Sequence, residues 1–314
     1  MINLAELMDE EKCYQLLREL RWPEGVRCPH CHSEQLTKKG FHQSEPYRQR
    51  YKCGGCGKHF DDLSETVLAD HHQPLSVWVL GLYLMGLNLS NAQIGQELHL
   101  NPTDAQQMTS QLRQEVVTKK PVVQLEGAIE SDEVYVVAGH KGNATAVEAK
   151  GRLGRRRRLK GARGRGTLEK EKPPILGLVE RGGQVVLHLL ENVQQATIEP
   201  VIKATVVAGS LIYTDEYNIY TRLTHWGYQH KTVNHSAGEF ARDEDGDGFH
   251  EVHVNTMEGF WSLLRSWLRP HRGISQEKLP LYLGFFEFVH NIRKRGKALL
   301  PSLLHLLLNP CFTY

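Results

Sequence analysis

The sequence predicts an α/β fold preceded by a cysteine-rich metal-binding module, and three observations predict it. Strand-like runs, IESDEVYVVAG, PILGLVERGGQVVLHLL and SLIYTDEY, alternate with helix-like stretches near 196–207 and from about Asn255 onward. This order of strands, hairpin, helix, strand and then helices belongs to α/β proteins. Ahead of it stand two Cys-x-x-Cys pairs, Cys28–Cys31 and Cys53–Cys56. Between the first two strands lies a run with nine Lys or Arg and no acid from Lys150 to Arg165.

The 314 residues suggest two or three domains, and 40% apolar with 24% charged residues is ordinary for a globular chain with a sizeable core. No run approaches 18 uninterrupted apolar residues, so no membrane-spanning segment is expected. The opening MINLAELMDEEKCYQLLREL carries acids and no long apolar run, unlike a signal peptide, and a cytoplasmic protein is expected. A net charge of +2 identifies no partner by itself. For the dense run at 150–166 a solvated or disordered loop is one reading, but a polyanion whose counterions are displaced by Arg155, Arg156, Arg157, Arg158 and Lys160 explains its density better.

Residues 1–21 predict an N-terminal helix, with Leu7, Leu16, Leu17 and Leu20 at its apolar positions over 5–20. Residues 22–62 form the cysteine-rich module. A two-residue gap lets both thiolates of a knuckle reach one tetrahedral Zn²⁺, and 21 residues separate the two knuckles. Cys13 and Cys311 stand alone. Arg50 and Lys52, beside the second knuckle, suit a phosphate backbone. So small a module is expected to fold only around its metal.

Residues 74–120 predict helices. Ile94 and Leu98 share one face, a turn follows at Leu100-Asn101-Pro102, and Met108 and Leu112 point inward from the next helix. Asn101 or Thr103 caps that helix. An ordinary helical hairpin has the same pattern. Beside a zinc module, a helix-turn-helix is the expectation, with Gln106, Gln107, Ser110 and Arg113 directed to DNA.

Residues 122–296 predict the α/β domain and 297–314 a C-terminal helical tail. Three acids stand out. Asp132 lies in a strand where a carboxylate is costly without a cation, and Asp215 ends the apolar run LIYTD. Glu258 lies in NTMEGFWSLLRSWLR, beside an apolar stripe and two turns before Arg265, with Arg269 beyond. Separate acids converging on Mg²⁺ are what two-metal phosphoryl transfer requires. Alternatives stand beside each acid. Glu130 and Glu133 flank Asp132, Glu130 sharing its face by strand alternation; Glu216 adjoins Asp215; and Asn255-x-x-Glu258 has the form of a capping box. Asp243, Asp245, Asp247 and Gly248 imitate the start of a calcium loop, but its twelfth position is Val254.

The blocks CPHC…CGGC, SDEVYV, YTDEY and HVNTMEGFWSLLRSWLRPHRGIS, taken in this order, resemble the zinc-ribbon DDE transposases of the insertion-sequence 1595 family. The resemblance spans nearly the whole chain. It implies a ribonuclease H-like catalytic domain, a mixed sheet with flanking helices, using Mg²⁺ or Mn²⁺ to cut and join double-stranded DNA at terminal inverted repeats. Asp132, Asp215 and Glu258 would be its catalytic, metal-binding acids, with Asn255 a possible participant and Arg265 the basic position after the third acid. Joining two ends implies a homodimer or higher oligomer on DNA. A DNA-binding regulator without catalysis, and a nuclease that cuts without joining, are the rival readings.

Overall fold

The computed structural model describes residues 4–151, 165–234, 238–244, 246–248 and 250–309. Two compact units divide the chain: Met1–Pro121 with Ile292–Tyr314, and Val122–Asn291.

In the first unit, helix α1 (Glu10–Arg21) starts at Asp9, whose side chain accepts from Lys12 N. Glu10 and Glu11 open it and Arg18 and Arg21 close it, each charge suited to its end of the helix dipole. The expected helix over 5–20 is thus interrupted at its cap, with a 3-10 turn over Leu4–Met8 before it. Strands β1 (Leu36–Phe41), β2 (Gln49–Cys53) and β3 (His59–Asp61) form an antiparallel sheet in the order β1-β2-β3. Its core is Cys28, Tyr51, Cys53 and Phe60, with Trp22 packed alongside. Asp62, fully buried, accepts from Arg18 Nε (3.0 Å) and Gln49 N (2.6 Å), while Arg21 donates to the Asp62 and Ser64 carbonyls. That buried ion pair docks α1 on the small sheet.

Helices α2 (Leu75–Gly86), α3 (Asn91–Glu97) and α4 (Pro102–Lys119) follow. Three separate devices start them. The Glu10 carboxylate accepts from Leu75 N and Ser76 N at α2 (2.7 and 3.0 Å), Ser90 and Gln93 form a capping box at α3, and Asn101 caps α4 with Pro102 at its first position. Ile94, Met108 and Leu112 are buried, and Gln106 and Gln107 are exposed.

Arg113 does not face outward as expected. It is 3% exposed, with Nη2 donating to Asn91 Oδ1 (3.0 Å) and Nη1 to the Thr109 carbonyl (3.3 Å). A guanidinium spent on tying α4 to the start of α3 is withheld from DNA. Arg113→Ala is therefore expected to destabilise this unit by about 2–3 kcal/mol, the worth of charged hydrogen bonds plus a void; thermal unfolding measures it.

The C-terminal helix, Leu300–Leu308, is apolar on nearly every side and must be buried. It packs among α1, α2 and α4, and Lys119 Nζ donates to the Leu307 carbonyl (2.8 Å). The expected tail is thus part of the N-terminal unit's core.

The second unit holds β4 (Ala128–Tyr135), α5 (Ala144–Ala149), β5 (Pro174–Glu180), β6 (Val185–Leu189), α6 (Gln195–Thr205), β7 (Leu211–Asp215), β8 (Gln229–Val233), β9 (Ala241–Arg242), β10 (Val252–His253), α7 (Asn255–Leu268) and α8 (Leu279–Asn291). The main sheet runs β6-β5-β4-β7-β8, with β4, β5 and β6 antiparallel and β7 and β8 parallel to β4. An antiparallel meander continued by two parallel strands is the ribonuclease H-like sheet.

Alternation along the strands splits the core between two faces. Ile129, Leu176, Leu178 and Ile212 meet Ile198 and Ile202 of α6 on one side. Val134, Ile175 and Val179 meet Met257, Trp261 and Leu264 of α7 and Leu283 and Phe286 of α8 on the other. The outer edge of β6 is also occupied. Leu187 N donates to Glu287 Oε2 (3.0 Å), and Asn291 exchanges two hydrogen bonds with Val185 (2.9 Å each), so α8 supplies partners a sixth strand would supply. Among the described residues, no helix is long and apolar enough to cross a membrane.

Candidate active site

Asp132 lies on the α7 face of β4, as alternation requires. The β4–β7 register pairs Ile129 with Ile212 and Glu130 with Tyr213. The pairing ends there; carried two residues further, the same register sets Asp132 against Asp215, which ends β7. Asp215 Oδ1 accepts from Tyr217 N (3.0 Å), so one oxygen serves the turn that ends β7. Glu258, exposed in the first turn of α7, completes the group. Burial, and then the charges of Asp215 and Glu258, push the Asp132 carboxyl upward, against the pull of the Trp261 indole N–H at 2.8 Å. Asp132 thus feels the negative charges of both Asp215 and Glu258, one from the neighbouring strand and one from α7.

The capping-box alternative for Glu258 fails. The residue before α7 is Val254, Asn255 is already its first helical residue, and no side chain of the helix's own caps it. Glu130, the alternative to Asp132 on the same face, is fully buried and ion-paired with Arg181 Nε (2.8 Å). Glu133 faces the other side, where the Tyr220 hydroxyl donates to it. Burial lifts its carboxyl to about 8; Asp132 and Asp215 add to the rise, and the Tyr220 bond and Arg165 oppose it. Arg165, at the end of the basic run, lies over the Tyr217 ring at 3.5 Å.

Arg265, seven residues after Glu258 and on the same side of α7, is exposed, and so is Arg269, which directly follows the helix. Arg50 and Lys52 are exposed on β2, opposite the buried Gln49, Tyr51 and Cys53. Arg155, Arg156, Arg157, Arg158 and Lys160, and also Cys311, lie outside the described residues.

Sequence reasoning passed over Trp261 and Gly177. Trp261 reads as one more apolar stripe residue, and only its indole N–H reaches Asp132. Gly177 is paired with Asp132 across β4–β5, and a Cβ there would lie 2.4 Å from Met257 Cε and 2.5 Å from the Trp261 ring. A lone glycine inside the strand PILGLVE is the signal that would have found it. Gly177→Ala is expected to push α7 from the sheet. We expect about 1–3 kcal/mol lower stability in chemical denaturation, and an activity loss larger than the loss of folded protein explains.

The metal centre of the small module is plain. The Cys28, Cys31, Cys53 and Cys56 sulfurs all lie within 4.8 Å of one another, with Cys28–Cys56 at 3.8 Å and Cys31–Cys53 at 3.5 Å. Four thiolates around tetrahedral zinc at about 2.3 Å stand roughly 3.8 Å apart, so the set fits Zn²⁺. Cys56 N donates to Cys53 Sγ (3.4 Å) and lowers that thiol, while the sulfur–sulfur hydrogen bond between Cys53 and Cys31 raises the Cys31 thiol in turn.

Residues 124–291 match the family described as the ISXO2-like transposase domain, and residues 8–59 the transposase zinc-ribbon domain. The chain is 31% identical over 308 residues to an uncharacterized protein in transposable element ISH50 of Halobacterium salinarum, covering 97% of this chain and 99% of that one. It is also 31% identical over 108 residues to an uncharacterized transposase-like protein of Haemophilus influenzae, covering 34% of this chain and 81% of the other. Among solved structures, the Mos1 strand transfer complex gives only a loose likeness, with a TM-score of 0.31 and 12% identity over 76% of this chain and 77% of that one. With a matching catalytic domain, a matching zinc ribbon and a relative aligned from end to end, the chain belongs to the insertion-sequence 1595 family of zinc-ribbon transposases.

Proposed function

We propose that this transposase binds the terminal inverted repeats of its element and catalyses both DNA strand cleavage and strand transfer. The observation that supports the reading is that Asp132 on β4 feels the charges of Asp215 at the end of β7 and Glu258 in the first turn of α7. The hard oxygen donors of this set suit Mg²⁺ or Mn²⁺, with Asp132 and Asp215 as the shared pair and Glu258 completing the site. When bound, the metal ions would activate the attacking oxygen and stabilise the leaving one.

The chain's own groups do the rest. The Trp261 N–H holds the Asp132 carboxylate in one orientation. Arg265 lies along α7 in line with Glu258 and Arg269 directly follows the helix, both suited to successive phosphates of the strand being cut. Arg50 and Lys52 of the ribbon, and Arg155, Arg156, Arg157, Arg158 and Lys160 of the basic run, contact the phosphate backbone; Gln106 and Gln107 of α4 reach a groove, α3 and α4 acting as the helix-turn-helix. Asn255, at the start of α7, borders the site. Two ends joined in one reaction require at least a homodimer on DNA, and the reaction belongs in the cytoplasm, on the nucleoid of a prokaryote.

The test is a strand-transfer assay with the inverted repeats that flank the gene, Mg²⁺ or Mn²⁺ and a supercoiled target. Joined products are expected. Cleavage without joined products would indicate a nuclease, and specific binding without cleavage a regulator.

A further inference from the structure

One buried acid of this face is not absorbed by the metal site, and it is the most fully engaged. Glu130 is 0% exposed in the middle of β4. Its Oε1 accepts from Arg181 Nε and Thr256 Oγ1, each at 2.8 Å, and lies 3.2 Å from His253 Nδ1. Its Oε2 accepts from Met257 N at 3.0 Å. Arg181, from the hairpin turn after β5, continues the network. Its Nη1 donates to the Glu251 carbonyl (2.6 Å), its Nη2 to the His253 carbonyl (2.8 Å), and its guanidinium lies over the Tyr213 ring at 3.9 Å.

The partners define the job. A helix leaves its first N–H groups unsatisfied, and α7 caps none of them with a side chain of its own. Glu130 supplies the missing acceptor from the neighbouring strand, with a negative charge at the positive end of the helix dipole. Two residues along the same strand, Asp132 accepts from Trp261. Two strand residues span about 6.7 Å and the four helix residues from Met257 to Trp261 about 6 Å, so both bonds form at once only when α7 lies along β4 in one position. Glu258 is held between these two anchor points.

We infer that Glu130 and Arg181 are positioning residues that fix α7 against β4 and so set the distance of Glu258 from Asp132. The inference rests on the reading of those acids as metal ligands. Glu130 is spent on the helix end and Arg181, so it is a bracket for the third acid, not a substitute for the first. Arg181 keeps that bracket rigid by binding the carbonyls that lead into α7.

The experiment uses the full-length zinc-loaded chain and compares wild type with E130Q, E130A, R181K and D132N. Three quantities are read: Mn²⁺ binding by electron paramagnetic resonance, hydrogen exchange in the first turn of α7, and strand cleavage against Mg²⁺ concentration. E130A and R181K are expected to weaken Mn²⁺ binding about tenfold and to speed exchange at Met257 and its neighbours while the strands keep their protection. Their kcat falls while KM for DNA ends stays unchanged. E130Q, which retains an acceptor oxygen for Met257 N, is milder than E130A on all three. If E130A does not fold, E130Q and R181K decide. Wild-type Mn²⁺ affinity in both, or exchange that quickens equally across residues 122–291, overturns the inference and leaves a purely structural role. If D132N binds Mn²⁺ as well as wild type, the reading of the three acids fails and this inference falls with it; if D132N alone loses Mn²⁺, only this inference falls.

Discussion

Asp132→Asn is expected to lower DNA cleavage by about a thousandfold or more while making the metal-free protein more stable, a pairing of opposite effects. Asparagine keeps the shape and one oxygen to accept the Trp261 N–H, so the face of β4 is preserved. The charge is what goes. A preorganised electrostatic group at a phosphoryl-transfer site is worth roughly a hundred- to a thousandfold each, and this one is shared with Asp215. Meanwhile burial and the charges of Asp215 and Glu258 disfavour the Asp132 carboxylate in the empty site, so the neutral amide relieves a repulsion. The metal-free protein therefore gains stability when the charge is removed. Supercoiled-plasmid cleavage and thermal unfolding, with and without Mg²⁺, read both signs. Wild-type stabilisation by Mg²⁺ should vanish in the variant. Cleavage within tenfold of wild type, or a lower melting temperature in the absence of metal, would contradict the assignment.

Removal of zinc has the second large effect. The ribbon's own core is four buried side chains, two of them the cysteines Cys28 and Cys53. Too little apolar surface is buried there to offset the ordering of its chain, and zinc supplies about 10–16 kcal/mol in comparable ribbon and finger peptides. Chelation, or Cys31→Ser, is expected to unfold the region from Cys28 to Asp61 and to abolish end-specific binding. Trp22, packed against Tyr51 at 6.0 Å and Phe60 at 6.4 Å, reports the change in fluorescence. The unit from Val122 to Asn291 has hydrophobic cores of its own, and its hydrogen-exchange protection should persist. A ribbon that keeps its tertiary signal without metal would refute this.

Much of the architecture was legible because it is written in local periods. Alternation puts Asp132 and Glu130 on one face, and the knuckle spacing brings four sulfurs together. The apolar stripe of α7 likewise leaves Glu258 and Arg265 outside it. What resisted reading depends on partners distant in the chain. Arg113 looks like an outward-facing cation until Asn91, on the preceding helix, supplies its acceptor. Glu130 looks like a spare catalytic acid until Arg181 and the start of α7 arrive to occupy it. The Leu-rich C-terminal segment shows that it must be buried, but nothing in its own pattern says which core receives it. Asp215 shows both kinds at once, serving its turn through a neighbour two residues away and acting on Asp132 from the next strand.

The side chains of Glu287 and Asn291 along β6 have a bearing on assembly. A bare strand edge invites the edge of another copy, and the function proposed above would gather copies of this chain on paired DNA ends. With those backbone groups already satisfied, crowding on the element does not promote fusion of sheets from that side.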